Sequence, residues 1–560
     1  MDIKKYLPLE KVPIDRDYQL YQYVGVVFID DEGPTAAGGV GAGWARTGRF
    51  ISVEANASKG GHMSRSMLLG SLFAAAGALT PAFAQDASVT VVLAEEPDLV
   101  EPCMATRSNI GRIVLGNISE TLTELDVRGG EGLKPRLAES WELVDDGTWR
   151  FHLRQGVTFS DGSAFDAEDV KHSFERAGSD QITCEISRYY EGIEITPTVV
   201  DAHTIDFTAE PAQPILPLLL SLLTIVPSET PIEFTREPVG TGPYVMTDWT
   251  PGQSITLERR GDYWGEQPEV ARATYVFRAD PSVRAAMVAA GEADIAPSIS
   301  AIDATTDMDV AYPNSETTYL RIDHSVPPLN DKRVREALNL AIDRDAFIGT
   351  VLAAGTEIAV AIVPPTTLGW NGDIEPWGYD PERAKALLAE AKADGVPVDA
   401  EILLVGRTAN FPGATETFEA IQSMLSEVGF NVRLQMVEVA EHEQYYSKPY
   451  VQTQPILVGA QHDNSRGDPV FSMYFKYHSE GRQSGIADAR VDELIEAATA
   501  ATGEKREALW RELFAYLHDE VIADVLLFHM VGHARVGERV DFTPTIATNS
   551  QLQLAEIGLK

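Results

Sequence analysis

Cysteine is almost missing from this 560-residue chain: it has two, Cys103 and Cys184. Two thiols exclude a disulfide-stapled scaffold and a four-cysteine zinc site. Basic residues are also scarce, 45 against 84 acidic ones, giving a formal net charge of −39. A surface of that sign repels phosphate backbones, and no basic patch offsets it, which argues against a nucleic-acid partner. The acidity speaks first for solubility; at a binding site it would favour a cationic or neutral ligand. Long apolar runs are lacking too. The longest, 67–84, has an uninterrupted core of only Leu68–Leu79, too short to span a bilayer comfortably. There is no P-loop, no G-x-S-x-G and no H-E-x-x-H, so the common signatures of nucleotide, ester and zinc-peptidase chemistry are missing. His529 and His533 stand four apart in HMVGH, a spacing that puts two metal ligands on one helix face, but Phe528 and Val531 make the segment apolar and favour a structural role. No metal, cofactor or catalysis is expected; an exported hydrolase is the competing class.

What is present is ordinary for a soluble globular protein: 44% hydrophobic and 23% charged residues. At about 100–200 residues per domain the length allows several domains. The apolar run has the three parts of a secretory signal: Arg65 ahead of it, the Leu68–Leu79 core, then Pro81 and the small-x-small site Ala82-Phe83-Ala84. We therefore read 63–84 as a cleavable signal peptide starting at Met63, with Gln85 the first mature residue and the periplasm the destination. Residues 1–62 are read as a non-native upstream extension; the alternative is a cytoplasmic extension with an uncleaved anchor.

The mature chain mixes strand and helix signals. Val89–Leu93 is a β-branched strand, Asn109–Leu125 has helical apolar spacing, and Trp149, Phe151 and Leu153 alternate as in a half-buried strand. Ser160-Asp161-Gly162 signals a turn, and Asp166 caps a helix carrying Val170 and Phe174. Ile215–Val226, flanked by prolines, reads as a buried helix. Tyr319–Asp323 is a strand leaving this region. Asp331 caps a helix, Asp380-Pro381 starts another that stops at Gly395, and strand Glu401–Val405, helix Thr417–Val428 and strand Asn431–Val437 set a β–α–β rhythm. Two helices, Ala489–Ala501 and Lys505–Val521, precede apolar pieces at Val525–Phe528 and Ile546–Leu559.

Seven segments then appear in a characteristic order: GLKPRLAESW at 132–141, WRFHLRQGVTFSDGSAF at 149–165 followed by DAEDV, PVGTGPY at 238–244, DYW at 262–264, GEADI at 291–295, LNDKRVREALNLAIDRD at 329–345 and YDPERAKALL at 379–388. With them the chain resembles the periplasmic solute-binding proteins of ABC importers, the dipeptide/oligopeptide-binding class (family 5), over nearly all of 85–560. The resemblance implies an α/β fold of two lobes around a cleft: lobe one at 85–322 with an inserted subdomain at about 123–231, lobe two at 323–524, and a return to lobe one at 525–560. It implies a non-enzymatic, monomeric protein that closes on a peptide or peptide-like ligand and delivers it to ABC permease subunits in the inner membrane. A sugar- or opine-like conjugate or a metal chelate is the alternative cargo. Gly240 and Gly242 are expected in tight turns, and Trp141, Trp149 and Trp264 in the core.

The family's peptide binders carry W-x-x-D-Y-P-D-P in a cleft loop, where the acid holds the peptide's amino group. Here the matching stretch is LVGAQHDNSRGDPVF at 457–471, without the tryptophan. Asp463 is the candidate partner for an ammonium group, and His462, Asn464 and Arg466 point to a hydroxyl-rich or acidic ligand unless they only form a hydrogen-bonded loop. A second contact loop is expected after Pro97–Pro102, giving Cys103, Met104 and Arg107 as ligand candidates, with Arg107 suited to a carboxylate or phosphate. A Cys103–Cys184 disulfide is chemically allowed after export, but the place of Cys103 beside the presumed cleft argues against it.

Overall fold

The computed structural model describes residues 87–560 apart from 98, 104–108, 127–131, 183, 185–186, 188–189, 191, 409 and 451–452. The expected signal peptide at 63–84, the stretch 1–62, and the candidates Met104 and Arg107 lie outside the described residues. Among the described residues no helix is long and apolar enough to cross a membrane.

One mixed sheet organises the molecule. Its strands run in the order Asn431–Val437, Glu401–Arg407, Ile456–Asp463, Asp309–Ile322, Asp524–Val536, Ile295–Ala296, Ser88–Leu93, Arg272–Phe277, Ser254–Arg259, Tyr244–Thr250. The first three are mutually parallel, as are Ile295–Ala296, Ser88–Leu93 and Arg272–Phe277. Between these groups lie the two longest strands, Asp309–Ile322 and Asp524–Val536, paired antiparallel. They carry the chain from one half of the sheet to the other and back. Their ladder is irregular at Pro313/Thr317 and again at Thr318/Tyr319, which marks bulges.

Each half has its own core. Val91, Tyr244, Leu257 and Tyr275 pack in the first, and Leu320, Leu338, Leu404, Phe418 and Phe528 in the second. A separate four-stranded antiparallel sheet, Ala138–Asp145, Thr148–Leu153, Thr204–Glu210 and Glu194–Asp201, is covered by helix Ala167–Ala177. That helix begins where Asp166 accepts from the Glu168 amide and Asp169 accepts in return from the Asp166 amide, a capping box. Phe151, Phe207 and Phe174 meet edge-to-face beneath it.

Several elements differ from expectation. The helix expected over 109–125 ends at Leu115. The Asn117 side chain donates to the Ile113 and Leu552 carbonyls and accepts from the Leu554 amide, and the Ile118 carbonyl accepts from the Gly242 amide. Tertiary partners thus take over the backbone groups that a longer helix would use. Gly240 and Gly242 are therefore sites of close backbone approach, not of positive φ: a Cβ on either would collide with Ile118. The helix expected at 215–226 is two short turns, Leu216–Leu219, with Pro217 in its first turn, and Leu220–Leu222. HMVGH lies on strand Asp524–Val536, where the buried His529 ring shares a hydrogen bond with the Thr317 hydroxyl at 2.9 Å. Trp149 and Trp264 are half-buried and anchored by the Gln213 carbonyl and the Glu120 carboxylate.

The two cysteines are joined: Cys103 and Cys184 form a disulfide inside an apolar core that also holds Phe151, Phe207 and Leu219. This overturns both the expected free thiol and the placement of Cys103 in the ligand site. The side chain is buried among apolar residues, and Cys103 is not on the wall of the large cleft described next.

Candidate functional site

Parallel strands place their carboxyl ends at one edge of a sheet, and that edge is where α/β proteins gather ligands. Here Ser88–Leu93, Glu401–Arg407 and Ile456–Asp463 all end on a single cleft of about 890 Å3 between the two halves of the sheet. The first half contributes Glu95, Arg112 and Arg284; the second contributes the 407–416 loop, helix Val439–Tyr446 and the 460–483 region.

Asp463, at the end of its strand, accepts hydrogen bonds from the Ser315 hydroxyl at 2.7 Å, the Ser465 amide at 2.8 Å and the Ser465 hydroxyl at 3.0 Å. It is also ion-paired with the Arg112 guanidinium, which reaches across from helix Asn109–Leu115. Burial alone would raise its pKa, but the Arg112 charge and these hydrogen bonds hold the carboxyl well below the usual range. The expected ammonium partner is thus already satisfied from within the protein. A second pair, Arg407 with Glu95 at 3.3 Å, also joins the two halves.

His462 lines the cleft and shares a hydrogen bond with the Ser472 hydroxyl at 2.8 Å. Burial and the nearby Lys476 charge push its pKa well down, so the ring is neutral. His442, whose Nε2 bonds the Gly459 carbonyl at 2.8 Å, is pushed down to about 4 by burial. Arg466 lines the cleft with its guanidinium 5.8 Å from the Phe471 ring centre. Arg466 and Arg112 also line a side compartment of about 170 Å3 beside Glu120, Thr121, Ser221 and Thr224.

Asn464 is a correction. Its amide faces the protein interior and donates toward the carbonyls of Ser315, Ile362 and His462 and the Thr317 hydroxyl, at 3.0–3.2 Å. It fixes the loop and is not on the cleft wall. Of the sequence candidates, then, the structure brings together His462, Asp463 and Arg466.

Most of the cleft's cations escaped the sequence reading. Arg284, in helix Pro281–Ala289, donates to the Ser298, Arg278 and Ala279 carbonyls at 2.7–2.8 Å. Lys448 donates to the Ser479 carbonyl at 3.1 Å. Lys476 is buried, donating to the Tyr319 hydroxyl at 3.0 Å, the Tyr446 hydroxyl at 2.5 Å and Gln483 at 3.3 Å. Arg482 is half-buried, and its guanidinium has no hydrogen-bond or ion-pair partner among the described residues. A usable signal existed: cations are rare in this chain, and Arg112 and Lys476 each sit alone in an apolar stretch, NIGRIVL and MYFKY. Among the described residues no cluster of ligating side chains could hold a metal.

Comparison with known proteins agrees with this architecture. Residues 132–484 match the family model of bacterial extracellular solute-binding proteins, family 5. The dipeptide-binding protein of Escherichia coli K12 is 29% identical over 445 residues, covering 72% of this chain and 82% of that protein. The nickel-binding periplasmic protein of the same organism is 28% identical over 432 residues, covering 69% and 79%. Among solved structures, the binding protein AgaA of A. tumefaciens R10 in complex with agropinic acid superposes with a TM-score of 0.74 at 23% identity, over 84% of this chain and 99% of that one. With two lobes, a cleft between them and a family match over more than half its length, this chain belongs to the bacterial extracellular solute-binding proteins of family 5, which bind a solute and do not transform it.

Proposed function

We propose that the protein captures a small polar solute, a peptide or peptide-like compound, between its lobes in the periplasm and delivers it to the permease subunits of an ABC importer. The observation that carries this reading is the cleft itself. Its volume of about 890 Å3 suits a small molecule, and both halves of the molecule contribute polar side chains to its wall. Arg112–Asp463 and Arg407–Glu95 reach across it, so closing the lobes and completing the wall are one event. Relatives named for a dipeptide, for nickel and for an opine acid span the cargo classes. Export by the leader at 63–84, maturation at Gln85, lobe boundaries near 322 and 524, and a monomeric state complete the proposal.

The test is native mass spectrometry of the protein purified gently from expressing cells, followed by identification of the released solute. A stoichiometric small molecule whose removal lowers the melting temperature is the expected result. A chain that carries no solute and binds none in a thermal-shift screen would refute capture.

A further inference from the structure

We infer that the cleft selects an acidic solute, one carrying at least two anionic groups and needing no free ammonium group. The inference rests on the capture reading above and names the class of ligand for that same cleft.

The chain as a whole stands at −39, yet the cleft wall carries seven cationic side chains and five acidic ones. The deepest acids are taken. Both oxygens of Asp463 are engaged by Arg112, Ser315 and Ser465; Glu95 pairs with Arg407, and Glu316 accepts from the Asn549 amide at 3.3 Å. Glu416 and Glu443 are solvent-exposed at the rim. A ligand ammonium entering this cleft would lose its water and find no buried carboxylate with a vacant oxygen on Asp463.

The cations are arranged the other way. Arg284 and Lys448 hydrogen-bond to backbone carbonyls, which orient them; Asp280 acts on Arg284 and Asp323 and Asp492 act on Lys448 through space, without a direct ion pair. The Arg482 guanidinium has no hydrogen-bond or ion-pair partner among the described residues, although the residue is only partly exposed. Holding like charges around a cavity is unfavourable unless an anion offsets them; the Arg482 guanidinium is shaped to hold a carboxylate by two parallel hydrogen bonds, and Arg284 keeps its Nη2 hydrogens for an anion. Arg284 lies in the first lobe; Lys448 and Arg482 lie in the second. A solute with two anionic ends would therefore draw the lobes together, which is the differential affinity that closure requires.

The experiment uses the full chain, with released solute identified by mass spectrometry and titration calorimetry on a matched series: Ala-Glu, N-acetyl-Ala-Glu, N-acetyl-Ala-Gln amide and Ala-Lys amide. The released solute is expected to be an acid. N-acetyl-Ala-Glu should bind no more weakly than Ala-Glu and at least tenfold more tightly than the neutral and cationic members. Arg482→Gln and Lys448→Gln should each weaken N-acetyl-Ala-Glu about tenfold, and Arg482→Gln should leave the melting temperature unchanged because its guanidinium has no partner among the described residues. A neutral or cationic released solute, a free-amino peptide ladder, or a tenfold loss on N-acetylation would overturn the inference while leaving solute capture intact. A chain that carries and binds nothing would overturn both.

Discussion

The Arg112–Asp463 pair makes a quantitative prediction. The two side chains are 351 residues apart, lie on opposite halves of the molecule, and are only 16% and 13% exposed. Removing one partner of such a pair leaves the other charge desolvated, which costs about 3–5 kcal/mol when the site is fully dry. Two features reduce that figure here. The site retains some solvent, and Asp463 keeps three hydrogen bonds from Ser315 and Ser465 when Arg112 is lost. We expect Arg112→Met and Asp463→Asn each to cost about 2–3 kcal/mol. The double variant removes both charges and should cost no more than either single change, so the coupling energy is about 2 kcal/mol. Urea unfolding at pH 7 measures all four corners of the cycle. A second readout follows from titration. The Asp463 pKa is depressed in the folded protein, so its contribution is present above the ordinary carboxylate pKa of about 4 and is lost as pH falls below it. In Arg112→Met much of that acid-side loss should disappear. Additive single variants, within about 0.5 kcal/mol, would refute the reasoning.

Three further outcomes are expected. The Cys103–Cys184 bridge closes a sequence separation of 81, so the double serine variant should unfold about 4 kcal/mol more easily on the chain-entropy estimate, and reductant should lower the melting point of the native protein alone. Gly240→Ala drives a methyl group into the Ile118 carbonyl, backbone against backbone, and should cost about 3 kcal/mol, read by thermal denaturation; a loss below about 1 kcal/mol would mean that the 118 turn yields. Burial holds both His442 and His529 down to about 4, below the ordinary value of about 6.5. The unfolded chain therefore takes up protons first, and stability present above pH 6.5 is lost as pH falls toward 4, on the order of 3 kcal/mol per ring. His442→Gln and His529→Gln should each flatten that limb in denaturant titrations at stepped pH.

Local chemistry was readable in the sequence where a side chain acts on its own backbone. Asp166, Asp331 and Asp380 were expected as caps, and each accepts from an amide of the helix that it starts. Strand Asn431–Val437 and the stop at Gly395, with φ of 87°, have equally local causes. The reading failed where distant partners decide. The 109–125 pattern is helical in spacing, but Gly242, Leu552 and Leu554 claim the groups around Asn117 and Ile118. The last long strand was seen only at Val525–Phe528, because Gly532, His529 and His533 interrupt its apolar pattern; neighbours on both edges hold it in the sheet. Gln461, His462, Asp463 and Arg466 line the cleft, but the roles within the 461–466 stretch depend on which distant groups each one meets. Nothing near Asp463 announces Arg112, and nothing in Asn464 tells a ligand contact from an inward strut.

The bulged ladder at Pro313/Thr317 has a mechanical consequence. Asp309–Ile322 and Asp524–Val536 are continuous strands, so the halves of this protein are joined by a hydrogen-bonded ribbon and not by slack tethers. A ribbon flexes where its ladder is interrupted. Asn314 and Glu316 occupy that interruption, and both face the cleft. A solute resting on the cleft floor would therefore lie against the bulged stretch that joins the two halves.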